Sequence, residues 1–404
     1  MLTLDKVFDA SNVLKEVIRP TACIHAPKVN PDCDVYLKTE NLQVTGSFKV
    51  RGAYYKISQL SDEEKSHGVI ACSAGNHAQG VAYAAKIYGV PATIVMPTTT
   101  PLIKVNRTKS YGAEVVLYGN VYDEACQYAL KLAKEKGLTF VHPFNDETVA
   151  TGQGTIAMEI FKELPTVDII LVPIGGGGLA AGVSTLAKLL NPNIKVIGVE
   201  PAGASCMKAS LEKGEVVTLP EVNTIADGTA VKTPGDIVFP YIQKNIDDII
   251  QIEDQELIVN FLDIMENHKM LVENSGLLTV AALKHLDCKN KKVVSILSGG
   301  NMDIITLSSV VQHGLIQRGR VFTVSVQLPD RPGELGKVAN VIAEMKGNVI
   351  RLEHNQFVSI NRNAAVELRI TMEAFGQDHK KEIIDRLKKE GYTPKEESPT
   401  GIYE

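Results

Sequence analysis

The sequence predicts an α/β protein: a two-lobed core of mostly parallel sheets followed by a small ferredoxin-like domain. Three observations point there. From about Asp34 to Leu307, short apolar runs alternate with helical ones, the pattern of parallel strands covered by helices on both faces. Near residues 312–320 the pattern changes, and Val321 to Leu328 alternates as a half-exposed strand does. The chain has 404 residues, 44% of them hydrophobic, which is enough for two or three domains with sizeable cores.

Asp34 to Lys38 is the first core strand, and it leads through Thr45-Gly46-Ser47-Phe48-Lys49-Val50-Arg51-Gly52-Ala53 into a helical run over Ala53 to Ile57. Gly68 to Cys72 precedes a helix over Ala78 to Tyr88, Ala92 to Met96 one over Ile103 to Tyr111, and Glu114 to Leu117 one over Tyr122 to Lys136. Asp168 to Val172 runs into a glycine loop and a helix ending at Leu190. Lys195 to Val199 and Val293 to Leu297 are further buried strands. After the turn Asp330-Arg331-Pro332-Gly333 come a helix over Leu335 to Met345, strands over Val349 to Phe357 and Ala364 to Met372, and a helix over Gln377 to Glu390. With a last short strand near Tyr392 the order is βαββαβ. We therefore expect a core domain over 1–316 with a small lobe at about 46–147, a second domain over 321–395, and a frayed polar tail over 396–404.

Composition narrows the function. Net charge is −5, and no basic patch with interleaved aromatics is present, so nucleic acid is not an expected partner. No apolar run is long enough to span a bilayer, and Met1 to Lys6 lacks the layout of a signal peptide. Cys23, Cys33, Cys72, Cys126, Cys206 and Cys288 include no C-x-x-C pair and read as reduced, structural thiols. A cytoplasmic enzyme is the expectation.

Four turns carry the chemistry. Lys49, flanked by Phe48 and Val50 at a strand-to-helix turn, is placed to be partly desolvated. Desolvation lowers an ammonium's pKa and leaves an amine able to form a Schiff base or act as a base. Gly175-Gly176-Gly177-Gly178-Leu179 follows a strand and opens a helix, the position and composition of a phosphate cup. No Lys-Ser/Thr follows it, so it is not a nucleotide P-loop. No acid stands about twenty residues on, which counts against a dinucleotide site and hence a nicotinamide oxidoreductase. Ser73-Ala74-Gly75-Asn76-His77 opens a helix with small residues suited to a carboxylate, and Ser298-Gly299-Gly300-Asn301 follows the last core strand. In a doubly wound sheet such turns share one crevice at the strands' carboxyl ends.

Together these segments resemble the fold-type-II pyridoxal-phosphate enzymes (tryptophan synthase β-like), specifically the threonine ammonia-lyase branch, in an ordered series. The series is Thr45 to Ala53, Ser73 to Gly80, Gly152-Gln153-Gly154-Thr155, Gly175 to Leu179, Ala226-Asp227-Gly228 and Ser298 to Asn301. The C-terminal part resembles an ACT domain through Asp330 to Leu335. The resemblance implies that Lys49 carries pyridoxal 5'-phosphate and removes the substrate's Cα proton. It further implies that Phe48 packs near the ring, Asn76 bonds its phenolic oxygen, Ser298 faces its nitrogen, and Gly175, Gly176, Gly177, Gly178 and Leu179 cradle the phosphate. Ser73, Ala74, Gly75, Asn76 and His77 would form the substrate loop, with Ser73, Gly75 and Asn76 on the carboxylate. The implied reaction is β-elimination of L-threonine to 2-oxobutanoate and ammonia, with L-serine a slower substrate. Isoleucine or valine would act near Asp330, Gly333 and Leu335, and a homodimer or homotetramer is implied.

Two departures narrow the branch. Serine racemases carry a serine where Ala74 stands, and without that hydroxyl the second-face acid/base is missing, so elimination is favoured over racemisation. Their divalent-metal site uses a glutamate, a backbone carbonyl and an aspartate. Here Glu200 and Ala204 align but Cys206 replaces the aspartate, and hard cations prefer oxygen. No metal is expected; Glu200 reads as a strand-end carboxylate capping a helix. His77 and His142 read as structural. A dead scaffold serving only as an amino-acid sensor is the remaining alternative, opposed by the intact set Lys49, Asn76, Gly175 to Gly178 and Ser298.

Overall fold

A strand that is apolar on both faces has no side it can leave in water, so it must lie between layers of helices. The computed structural model, which describes residues 1–356 and 366–397, meets this condition in two sheets. The larger orders its six strands as Cys23–His25, Asp34–Lys38, Lys292–Ile296, Ile169–Pro173, Lys195–Pro201 and Asp248–Ile252. All neighbours are parallel except the edge pair Cys23–His25 with Asp34–Lys38. The smaller sheet is wholly parallel, in the order Glu114–Leu117, Ala92–Met96, Val69–Cys72, Thr139–Phe140. Every residue of Ile169–Pro173 and Val69–Cys72, both interior strands, is buried. Parallel strands deliver their carboxyl-end turns to one side of a sheet, which is how distant motifs come together.

The helix Glu147–Glu163 was not among the elements expected from the sequence, and it contains the glycines of Gly152-Gln153-Gly154-Thr155. Its glycines serve packing. A Cβ on Gly152 would lie 2.7 Å from the Arg51 carbonyl oxygen and from the Gly52 Cα, so the helix could not approach the one that follows the lysine loop.

The chain divides into two compact units, Met1–Asp303 and Ile304–Glu404. The helix Ile304–Gln317, whose residues fall mostly within the span expected for the first domain (1–316), opens the second unit and packs against the strand Val321–Leu328 that follows it. Cover from a helix also corrects the half-exposed reading of that strand: only Gln327 is exposed. Its buried Thr323 hydroxyl pairs with the Thr371 hydroxyl at 2.8 Å. The second unit's sheet is antiparallel, in the order Asn348–Asn355, Val366–Glu373, Val321–Leu328, Lys395–Glu397, with helices Glu334–Glu344 and Gln377–Lys389. This is the βαββαβ order, but the last strand is Lys395–Glu397 rather than a segment near Tyr392. Gly391, with φ +89°, and Tyr392 still close the preceding helix. Strand ends expected at Phe357 and Ala364, and residues 398–404 of the tail, lie outside the described residues.

The reading of all six cysteines as free thiols is corrected for one pair. Cys33 and Cys288 are joined as a disulfide with Cα atoms 5.6 Å apart. They are 255 residues apart in sequence, but they lie in the loops before the neighbouring strands Asp34–Lys38 and Lys292–Ile296, and parallel pairing sets those loops side by side. Among the described residues, no helix is long and apolar enough to cross a membrane.

Candidate active site

The lysine loop is laid against the turn after the last core strand. Thr45 and Gly46 both adopt left-handed backbone, at φ +68° and +75°. Ser47 then bridges Gly299, the Phe48 N–H donates to the Ser298 carbonyl at 3.1 Å, and the Gly300 N–H donates to the Gly46 carbonyl at 2.9 Å. The helix begins at Lys49, four residues earlier than expected, because Phe48 is already in right-handed helical geometry. Lys49 is thus fixed by backbone on one side and by a helix on the other. Its Nζ donates to the Pro143 carbonyl at 2.7 Å and lies 5.3 Å from the centre of the Phe48 ring. Burial pulls the amine down to about 8, with the charge of Glu273 working the other way.

Behind this helix sits a buried ion cluster. Arg51, fully buried, donates Nε and Nη2 to the two Glu40 oxygens at 2.8 Å each, and Nη1 and Nη2 to Glu159 at 2.6 and 2.9 Å. Nη1 also reaches the Thr155 hydroxyl at 3.1 Å, and Lys38 donates to Glu159 at 2.6 Å. The fork geometry matches two carboxylates at once, which a lysine could not do.

The glycine loop ends in the first turn of the helix Gly178–Leu190. The leading N–H groups of a helix have no partner within it and favour an anion. Side chains are excluded here: a Cβ on Gly176 would strike the Phe144 ring, and one on Gly178 would come within 2.7 Å of the Phe144 carbonyl oxygen. A Cβ on Gly175 would lie 2.9 Å from the Thr229 Cα, and Gly177 has φ +101°. Leu179 is buried beneath the loop. Since Pro143 receives Lys49 and Phe144 packs on the loop, two adjacent residues tie the amine to the cup.

The helix Asn76–Tyr88 presents Asn76 at its start. The Asn76 amide donates to Glu273 Oε1 at 2.7 Å, and its carbonyl accepts from Asn301 Nδ2 at 2.8 Å. Glu273 carries no motif and the sequence reading missed it. Ser73 is half-buried, with its hydroxyl oxygen accepting the Gly75 N–H at 3.2 Å; Ala74 and Gly75 are half-buried beside it, and the space around Gly75 is open. His77 turns inward: its ring is buried and bonded to the Val141 carbonyl at 2.8 Å, and burial, then Lys49, hold it neutral at about 3. Its Nδ1 is buried without a hydrogen-bond partner, and its main-chain N–H lies in the first turn of the helix, where a ligand can be reached. His142 Nδ1 accepts the N–H groups of Phe144 and Asn145, and burial and Lys49 lower it to about 4. Ser298 is buried at the end of the last core strand. Glu200 accepts the Met207 and Lys208 N–H groups at 2.8 and 2.9 Å, capping the helix Cys206–Lys213 as expected.

Asp330, Gly333 and Leu335 belong to the second unit, where they line a cavity of about 250 Å³ with Arg331, His354 and Val366.

A crevice built from a buried-side amine, an anion cup and a cross-bonded asparagine defines a class. The chain belongs to the pyridoxal-phosphate-dependent enzymes, whose family model matches residues 14–299. It is 42% identical to the L-threonine ammonia-lyase of Thermotoga maritima over 395 residues, covering 97% of this chain and 98% of that protein. Among solved structures, the processed threonine deaminase isoform 2 of Solanum lycopersicum matches with a TM-score of 0.73 and 39% identity, over 77% of this chain and 94% of that one. A maize serine racemase matches with a TM-score of 0.73 and 34% identity, over 78% and 98%.

Proposed function

We propose that this chain is a threonine ammonia-lyase, converting L-threonine to 2-oxobutanoate and ammonia and, more slowly, L-serine to pyruvate. The carrying observation is the Lys49 amine, held at about 8 by burial and joined through Pro143 and Phe144 to a cup that admits no side chain. These residues fit pyridoxal phosphate: Lys49 would hold it, with Phe48 beside it. Gly175, Gly176, Gly177, Gly178 and Leu179 would receive its phosphate, Asn76 its phenolic oxygen and Ser298 its nitrogen. When bound, the cofactor supplies the electron sink that makes the substrate's Cα–H acidic.

The chain's own residues do the rest. Ser73, Ala74, Gly75, Asn76 and the N–H of His77 orient the substrate carboxylate at a helix start. Lys49 takes the Cα proton, for which an amine poised near neutrality is suited. Ala74 offers no proton to the opposite face, which supports elimination over the serine racemase reading. A serine dehydratase of the same fold is separated by comparing turnover of the two substrates. Lys49→Ala is expected to abolish the yellow colour of the purified protein, borohydride fixation of the cofactor and threonine turnover. Retained turnover overturns the assignment.

The second unit supports regulation. The cavity beside Asp330, Gly333 and Leu335 is of a size for a small amino acid such as isoleucine or valine, in an ACT-like domain of a cytoplasmic homodimer or homotetramer. Deleting residues 321–404 is expected to abolish any effect of these amino acids on the threonine saturation curve; an unchanged response refutes the assignment.

A further inference from the structure

Glu273 lies where four segments of the site meet. Its Oε1 accepts the Asn76 amide at 2.7 Å. A Cβ on Gly299 would strike that oxygen, and one on Gly228 would lie 3.6 Å from it. The Glu273 N–H donates to the Gly299 carbonyl at 3.0 Å, which ties its backbone to the turn after Ser298. The far side of Asn76 is equally constrained. Asn301 Nδ2 donates both to the Asn76 carbonyl oxygen at 2.8 Å and to the Thr45 carbonyl at 2.7 Å. A main-chain carbonyl can only accept, so each amide in this series has one orientation. The series runs from left-handed Thr45, in the lysine loop, to the Glu273 carboxyl.

Asp227, Lys104 and Lys49 are the charged groups that act with this carboxyl. Burial, and after it Asp227, push Glu273 up to about 7 against the Asn76 bond, Lys104 of the helix Leu102–Ser110 and the Asn301 backbone. Glu273 in turn opposes the burial that discharges Lys49. His77 and His142, the other titratable groups facing Lys49, stay neutral near pH 7 and cannot take its place.

We infer that Glu273 is a positioning residue with two roles: it fixes the orientation of the Asn76 amide, and its charge holds the proton on Lys49 until the amine is needed. The inference rests on Lys49 as the reacting amine, and it is tested without threonine so that the two can fail separately. The full chain is freed of cofactor and checked by the return of its colour when pyridoxal phosphate is restored. Lys49 is then labelled with trace acetic anhydride across neutral to alkaline pH and quantified by mass spectrometry. Glu273→Gln keeps an acceptor for Asn76 and removes the charge; its Lys49 labelling midpoint is expected to fall by roughly one pH unit. Glu273→Asp keeps the charge and is expected to leave the midpoint near that of the parent. Glu273→Ala loses both roles and is expected to combine the lower midpoint with roughly tenfold weaker cofactor binding. An unchanged midpoint in Glu273→Gln, or equal shifts in the Gln and Asp variants, overturns the inference.

Discussion

The two units handle charge in opposite ways. In Met1–Asp303, Arg51 and Lys38 are fully buried against Glu40 and Glu159, two cations on two anions directly behind the helix that bears Lys49. Among the described residues of Ile304–Glu404, the ion pairs keep contact with solvent: Arg386 meets Glu344 and Glu390 with all three side chains more than a third exposed, and Arg369 meets Glu397 with both partly exposed. Burial opposes the Glu159 charge, yet Arg51 and then Lys38 hold its carboxylate below the usual range. A buried cluster is stable only as a complete set, whereas a surface pair can be lost singly. The difference teaches where rigidity is demanded: at the amine, and not in the second unit.

The sharpest way to break this comparison is Arg51→Met, which leaves the fully buried Glu40 without its cation, while the partly exposed Glu159 keeps only Lys38. A loss of about 3–5 kcal/mol is expected in denaturant unfolding of the first unit. A loss comparable to a surface pair would dissolve the contrast. Glu200 is next: a buried acid, raised by burial from its ordinary 4.5 to about 7 against the Met207 and Lys208 N–H bonds and the Lys208 charge. Its folded-state pKa lies above its unfolded one, so its contribution is complete below pH 4.5 and is lost as pH rises to about 7. Relative to Glu200→Gln, the parent's melting temperature is expected to decline across that window, by the equivalent of roughly 3 kcal/mol. The smallest effect belongs to Arg369→Ala, where roughly 1 kcal/mol or less is expected and added salt is expected to shrink it further.

Much of this molecule was legible before folding. The strand Asp34–Lys38 and the helix Tyr122–Lys136 fall where apolar spacing put them, because local periodicity determined both. The glycine cup was legible for the same reason: four consecutive glycines between a strand and a helix have few other uses. The helix Glu147–Glu163 was hidden because its glycines answer to a neighbouring backbone that a linear reading does not contain. Glu273 was hidden more deeply. An acid in Val-Glu-Asn-Ser has no local signature, and only the topology of the larger sheet brings it to Asn76. The Cys33 and Cys288 thiols were misread on the same ground: their adjacency is a property of strand order, not of spacing.

That crosslink has a consequence for how the chain comes apart. The smaller sheet, Val69 to Phe140, lies between the bonded cysteines in sequence, so it hangs within a covalent ring. A protease that cuts once anywhere inside the ring leaves two pieces that still migrate as one, and only a reductant releases them. Gel mobility with and without dithiothreitol after limited digestion therefore reads the state of this bond directly.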